Sequence, residues 1–207
     1  MSLTKKMLPG LLMAATLGAS TSVLAGASGN IAASSDYIWR GASQTASQSA
    51  VSGGLDYGHD VGVYAGTWVS PVAGDTEIDV YAGFSKEFGG VGIDLGYLIY
   101  HYVAGADAAE MYFGLSYSML GATYYYDADN ENAWLEASAD YEVKKDLSLG
   151  VNFGMSMMKD TAADYMTYGA TITKTVGDWS ASFTASATDV EDSEPTAFVS
   201  ISREFDL

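Results

Sequence analysis

The 207-residue sequence contains no cysteine, only three prolines and only nine lysine and arginine residues. Without cysteine, the chain can form no disulfide, no thiolate metal site and no cysteine nucleophile. The nine bases stand against 26 acids, so the formal charge is −17 and binding to nucleic acid is disfavoured by repulsion. Nearly half of the residues are hydrophobic, which argues against a disordered chain.

Apolar runs long enough to form a membrane helix are also missing. Lys5 and Lys6 precede an apolar run at residues 7–17, which is too short to span a bilayer. Val23 and Ala25 occupy the −3 and −1 positions of a cut after residue 25, so residues 1–25 are predicted to be a signal peptide. The alternative is a buried N-terminal helix. The predicted segment holds two bases and no acid, so its removal changes the charge from −17 to −19.

Twelve segments of about ten residues follow, and each alternates apolar residues with polar or small residues. The clearest segment, residues 179–188, places Trp179 and Phe183 on one face and serines and threonines on the other. Gly89 and Gly90 are typical of a two-residue hairpin turn, because glycine accepts positive φ. The regular hairpins predict an all-β fold, an antiparallel up-and-down transmembrane β-barrel of about 12 strands over residues 26–207.

Alternation alone does not identify the outward face, since a soluble lipocalin-like barrel has its apolar face inside. Twelve strands, however, enclose a lumen too wide to be filled as a dry core. The apolar face also carries aromatic residues near strand ends, as the girdles of membrane barrels do. These features favour a barrel surrounded by outer-membrane lipid and lipopolysaccharide. The aromatic residues are Tyr37, Trp39, Tyr57, Tyr97, Tyr126, Tyr141, Trp179 and Phe205.

An even number of strands predicts that both termini lie on the same side of the membrane. If that side is the periplasm, basic turns near Lys86, Lys144 and Lys174 lie there too, and the C-terminal strand is available to the barrel-assembly machinery. The opposite loops would be acidic, either to bind divalent cations that bridge to lipid phosphates or simply as a solvated rim. Their acids are Asp75, Asp107, Asp127, Asp129, Glu131, Asp160, Asp164, Asp189, Glu191, Asp192 and Glu194.

The first predicted strand, residues 30–41, runs into the sequence DYIWRGASQT at residues 36–45. This stretch resembles the S-x-Y-x-x-R-G-x-S-Q opening of the TorF-type porins, which are small outer-membrane proteins of proteobacteria. The rest of the chain is similar to that family in length and alternation. The resemblance implies a Gram-negative outer-membrane location and a porin architecture more firmly than it implies a substrate. The matching residues are Ser35 or Asp36, Tyr37, Arg40, Gly41, Ser43 and Gln44.

A porin needs a polar lumen rather than a reaction, and the inward face is predicted to carry nine carboxylates and one arginine. Rings of carboxylates attract cations, so we expect a narrow, cation-preferring channel for small solutes or ions. Alternatively, the acids hydrogen-bond tyrosines and serines and fill the lumen, which predicts a closed structural or adhesion-type barrel. The predicted pore-lining residues are Asp36, Arg40, Asp56, Glu77, Asp79, Asp94, Glu110, Glu136, Asp140 and Glu142.

Arg40 is the clear base among these acids. Asp36 lies about 13 Å from Arg40 along an extended strand, so a direct pair between them is not expected. Arg40 should pair with an acid from another wall or a loop, such as Glu110 or Glu194. It would then either line a constriction or fix the first strand where the barrel closes.

Catalytic and metal-binding patterns are weak. Outer-membrane lipases place serine and histidine on a barrel wall, but neither His59 nor His101 has an obvious serine partner in the sequence. Asp127, Asp129 and Glu131 have the spacing of a calcium loop, yet glycine is missing at the sixth position and an acid at the twelfth. The sequence therefore predicts no enzyme, no cofactor and no metal site.

Overall fold

A computed structural model describes residues 26–160 and 163–207 of the chain. The predicted signal peptide, residues 1–25, lies outside this part. Twelve antiparallel strands form one closed barrel, as predicted, and two short strands form a separate hairpin. The strands are β1 (Gly26–Ser34), β2 (Ile38–Trp39), β3 (Ala42–Ser43), β4 (Ala50–Gly58), β5 (Val63–Val72), β6 (Asp75–Phe88), β7 (Val91–Tyr102), β8 (Ala108–Tyr117), β9 (Leu120–Asp127), β10 (Asn132–Lys144), β11 (Leu147–Met157), β12 (Met166–Val176), β13 (Trp179–Thr188) and β14 (Thr196–Asp206).

The barrel closes where the first strand pairs with the last. Ser28 of β1 is opposite Asp206 of β14, and Ser34 is opposite Ser200. β1 also pairs along its other edge with β4, so the hydrogen-bond ladder is continuous around the barrel. Closure satisfies the backbone groups that an open sheet edge would leave unpaired, which a structure surrounded by lipid requires.

The alternation predicted from the sequence separates the two faces of the barrel wall. Outward side chains are large and apolar, and Val51 and Val151 expose 62% and 57% of their surface. Inward side chains are packed, and Leu98 exposes only 2%. Such a continuous apolar outer surface is unfavourable in water and matches the outer face of a membrane barrel. No helix in residues 26–160 and 163–207 is long and apolar enough to cross a bilayer.

The two ends of the barrel differ. Both termini and the tight turns at residues 89–90, 118–119, 145–146 and 177–178 lie at one end, which we call the turn end. All connections longer than four residues lie at the other end, the loop end. The predicted acidic loops all fall at the loop end, and Lys86, Lys144 and Lys174 fall near the turn end. Which end faces the periplasm stays a prediction.

The predicted first strand is wrong at its C-terminal end. β1 stops at Ser34, and residues 35–49 fold into the barrel instead of continuing along the wall. Arg40 and Gly41 have φ angles of 47° and 83°, so they form a two-residue turn between β2 and β3. Both positive φ angles suit the tight turn of a hairpin. The apolar alternation continues through this hairpin, which is why the sequence pattern does not reveal where the wall strand ends.

Candidate pore and its internal hairpin

Residues 35–49, here called the internal hairpin, are organised by their own polar side chains. The Oδ1 atom of Asp36 accepts hydrogen bonds from the hydroxyls of Ser43 and Thr45, each at 2.7 Å. The Gln44 N–H donates to the Tyr37 carbonyl at 2.7 Å, which closes the hairpin behind β2 and β3. Asp36, predicted to line the pore, is therefore buried as an acceptor within the hairpin.

Aromatic side chains fix the hairpin against the inner wall. The Tyr37 hydroxyl donates to Glu77 at 2.8 Å, and the Tyr37 ring meets the edge of Trp68 with centroids 5.4 Å apart. Trp39 packs against Tyr100 in the same way at 5.9 Å. The prediction that Tyr37 and Trp39 face lipid is wrong, because the chain leaves the wall before reaching them.

At the tip of the hairpin, Arg40 forms a two-pronged ion pair with Glu110 of β8. Its Nη1 and Nη2 atoms donate to the two Glu110 oxygens at 2.7 and 2.8 Å. The Tyr100 hydroxyl donates to the same carboxylate at 2.9 Å, and the Tyr165 hydroxyl donates to the Arg40 carbonyl at 3.2 Å. Glu110 was one of the two predicted partners. The other proposed role of Arg40, fixing β1 where the barrel closes, does not fit a residue at the tip of an internal hairpin.

Three rings surround the Arg40 guanidinium and are called the aromatic cage. The Arg40 Cζ atom lies 4.3 Å from the ring centroid of Trp39 and 5.1 Å from those of Tyr125 and Trp134. The negative faces of aromatic rings attract a cation, and more strongly when water is excluded. The cage and Glu110 together compensate the loss of hydration that a buried guanidinium suffers.

Two residues of the internal hairpin, which connects strands rather than spanning the membrane, have shifted pKa values. Burial alone would lower the pKa of Arg40, but the hydrogen bonds and charge of Glu110 raise it above the ordinary value. Burial and then the charge of Glu77 raise the pKa of Tyr37. Arg40 therefore stays cationic, and Tyr37 stays a neutral hydroxyl that can donate to Glu77.

Beyond the hairpin, tyrosines and acids cover the inner wall from β4 to β8. The Tyr64 hydroxyl donates to Asp94 at 2.6 Å and also hydrogen-bonds the Tyr112 hydroxyl. The Tyr81 hydroxyl donates to Asp56. These carboxylates are therefore engaged with phenols, which is the arrangement that the closed-barrel alternative predicted for some of them.

The inner wall from β12 to β14 is built differently, from small hydroxyl side chains. Thr171 hydrogen-bonds Thr184 at 2.9 Å, and Ser182 hydrogen-bonds Ser200 at 2.7 Å. The lumen thus has an aromatic and acidic wall opposite a serine and threonine wall. The hairpin tip reaches both, since Gly41 lies against Thr167 of β12.

The ten predicted pore-lining residues do not form one ring. Glu77, Asp79, Asp94 and Glu110 are buried in the inner wall, while Asp56 and Glu136 are half-buried. Asp140 and Glu142 are exposed near the turn end.

Glu204 and Tyr165 also lie in the lumen but were not predicted to line it. Glu204 of β14 follows the inward phase of Ser200 and Ser202, and this alternation could have identified it. Tyr165, which contacts Arg40, gave no sequence signal because it lies between strands.

Neither His59 nor His101 lies in the inner wall of the barrel, and both are exposed. His101 Nδ1 lies 2.8 Å from Asp107 at the exposed loop end, and His59 Nδ1 accepts the Val61 N–H in a turn. Within the described ranges, no group of three or more His, Cys, Asp or Glu side chains could hold a metal ion.

The barrel is similar to several solved outer-membrane structures. The KdgM porin aligns with a TM-score of 0.66 and 12% identity over 86% of this chain and 99% of its own. A NanC porin aligns at 0.63 and 10% over 86% and 100%, and an outer membrane protein of Acinetobacter baumannii at 0.56 and 6% over 90% and 100%. At these identities the similarity shows the fold alone.

Sequence comparison gives the family. No curated protein matches the chain. One family model, described as a bacterial protein of unknown function (Gcw_chp), matches residues 18–206. This match includes every strand of the barrel and the whole internal hairpin. The chain therefore belongs to the Gcw_chp family of bacterial proteins.

Proposed function

We propose that the protein is an outer-membrane channel for passive diffusion of small solutes, with a preference for cations. The observation that carries this proposal is the closed barrel with an apolar outer face and a polar inner wall. A lipid-facing exterior needs the first property, and a water-filled passage needs the second. Export by residues 1–25, contact with lipopolysaccharide and insertion through the C-terminal strand belong to the same proposal.

The motif that resembles the TorF-type porins is the internal hairpin. Residues of the motif stabilise the fold of this hairpin. Asp36 accepts hydrogen bonds from the hydroxyls of Ser43 and Thr45, and Arg40 and Gly41 form the turn. We infer that the likeness reflects a shared internal hairpin, which narrows the channel from inside.

The inner charges support the preference for cations. Among the described Lys and Arg side chains, Arg40 is the one in the lumen, and Glu110 already neutralises it. Asp140, Glu142 and Glu204 remain exposed on the inner face toward the turn end. A carboxylate-lined passage attracts cations and repels anions. The KdgM porin has been solved with oligogalacturonate, a polyanion, and the inner charges of this chain disfavour that kind of cargo.

Conductance in planar bilayers tests the proposal. The chain without residues 1–25 should give discrete single-channel currents, and a KCl gradient should give a reversal potential of the sign expected for cation preference. A reversal potential of the opposite sign would contradict the preference while leaving a channel. The folded state of each preparation is checked by circular dichroism and by heat-dependent mobility in gel electrophoresis.

A closed barrel that stabilises the envelope is the second candidate. The internal hairpin favours it, because Trp39 packs against a cluster of buried aromatic side chains inside the barrel. Folded protein that inserts into bilayers without current above background would support this candidate and contradict the channel.

A further inference from the structure

We propose that the Glu110 carboxylate and the aromatic cage form a binding site for the guanidinium group of a solute, which Arg40 occupies as an internal ligand. Regulation of solute passage by this site rests on the proposed channel function. Binding of a guanidinium group to the site does not, and it can be tested even if the barrel does not conduct.

The geometry of the site is that of guanidinium recognition. Glu110 presents both oxygens to two nitrogens of one planar group at 2.7 and 2.8 Å, and Tyr100 orients the carboxylate from the other side. Rings from the hairpin and from β9 and β10 close around the bound group. A planar fork matches a carboxylate better than an ammonium group does, so the site should prefer guanidinium to alkylammonium.

A second observation indicates that the site accommodates more than Arg40. The Tyr125 hydroxyl is buried, with 4% of the residue exposed, and has no hydrogen-bond partner in the described part of the chain. A buried hydroxyl without a partner is costly. A solute that carries an oxygen acceptor beside its guanidinium group could accept this hydrogen bond, which the side chain of Arg40 cannot do because it has donors only.

Glu110 differs from the other buried acids of the lumen in its partner. Glu77 accepts from Tyr37, and Asp94 accepts from Tyr64, so both acids are held by neutral phenols. Glu110 instead pairs with the guanidinium of Arg40, a cation of the internal hairpin. Departure of the Arg40 side chain leaves the Glu110 carboxylate without its counter-charge, and a cationic solute is the natural replacement.

Only the side chain of Arg40 has to leave for this exchange. The backbone of the hairpin is held independently by Asp36, by the Tyr37 hydroxyl and by the N–H of Ala73, which donates to the Gln44 carbonyl. A solute that competes with Arg40 would therefore release the Arg40 side chain without unfolding the hairpin, whose tip is also held by the bond from the Tyr165 hydroxyl to the Arg40 carbonyl. The apparent affinity in the wild type is lowered because Arg40 occupies the site most of the time.

Calorimetric titration of the folded, detergent-solubilised barrel with methylguanidinium tests the site. Arg40→Ala should bind methylguanidinium at least about tenfold more tightly than the wild type, because the internal competitor is gone. Arg40→Ala combined with Glu110→Gln should lose this gain, since the bidentate acceptor is removed. Methylammonium should bind Arg40→Ala more weakly than methylguanidinium, and urea, a neutral molecule of similar shape, should not bind measurably.

Equal binding by the wild type and Arg40→Ala, or equal binding with and without Glu110, would overturn the proposal. If Arg40→Ala does not fold, Arg40→Lys serves instead, because lysine keeps the charge but cannot form the fork. Methylguanidinium should then compete better against Lys at position 40 than against the native arginine, and unchanged binding would overturn the proposal. Absence of conductance would contradict the channel function alone, because none of these titrations measures current.

Discussion

At the scale of single residues, the inner wall depends on pairs of tyrosine and glycine on neighbouring strands. Tyr112 of β8 lies directly across from Gly96 of β7, and a Cβ atom at position 96 would overlap the Tyr112 ring. Tyr64 stands in the same relation to Gly83. Each glycine thus provides the room in which a phenol lies flat on the wall, where Tyr64 donates to Asp94 and Tyr112 hydrogen-bonds the Tyr64 hydroxyl.

We expect Gly96→Ala to lower the free energy of unfolding by roughly 1–3 kcal/mol, because Tyr112 is buried and cannot move aside freely. Urea unfolding in detergent micelles, followed by tryptophan fluorescence, measures the change. Gly114→Ala is the matched control on β8, since a Cβ atom there would lie at 3.3 Å from Thr123 and need only a small adjustment. Equal losses in the two variants would contradict this account of the wall.

Arg40 shows how far a residue-level prediction could go. The lack of a partner on its own strand and the excess of acids elsewhere predicted a distant carboxylate, and Glu110 is that partner. The aromatic cage could not be predicted, because Tyr125 and Trp134 lie far along the chain and only barrel closure brings them to Arg40.

At the scale of elements, the internal hairpin is where the prediction from the sequence was wrong, because its first residues were assigned to a wall strand. Its residues alternate like those of a wall strand, so the period-two signal continues past the end of β1. The signals that distinguish it are local: Arg40-Gly41 as a turn, and Asp36 with hydroxyl residues seven and nine positions later. Whether such a hairpin turns inward or outward depends on packing against Trp68 and Tyr100, which no local pattern encodes.

We expect Asp36→Ala to loosen the internal hairpin while leaving the barrel folded. The change removes the acceptor of the Ser43 hydroxyl and one of the two acceptors of the Thr45 hydroxyl, the other being the Gln48 carbonyl, and should cost about 1–3 kcal/mol. Because the hairpin joins the loop end, a loosened hairpin should expose the bond after Arg40 to trypsin. Cleavage there, measured by mass spectrometry against cleavage after the exposed Lys159, should rise about tenfold.

Asp36→Asn provides the control for this experiment. Both hydroxyls donate to the same Oδ1 atom, and the amide oxygen of asparagine can take its place. The asparagine variant should therefore resist trypsin nearly as well as the wild type. If both variants were cleaved equally fast, the negative charge rather than the shared acceptor would hold the hairpin.

At the scale of the whole molecule, regular alternation and hairpin spacing were enough to predict the twelve-stranded closed barrel. These features follow from the two-sided environment of a barrel wall, which every strand experiences alike. The direction in which the internal hairpin leans inside the barrel was not predictable in the same way. It depends on contacts between distant parts of the chain, such as those of Tyr37 with Trp68 and of Trp39 with Tyr100.

Asp140 and Glu142 of β10 place exposed, inward carboxylates in the lumen near the turn end. Exposed carboxylates in a passage concentrate cations and exclude anions. Replacing both with Asn and Gln should shift the reversal potential in a KCl gradient toward zero and leave folding unchanged. Asp60→Asn, which removes a charge from a turn outside the lumen at the same end, should leave the reversal potential as in the wild type. An equal shift in the two proteins would mean that surface charge, rather than the inner wall, sets the ion preference.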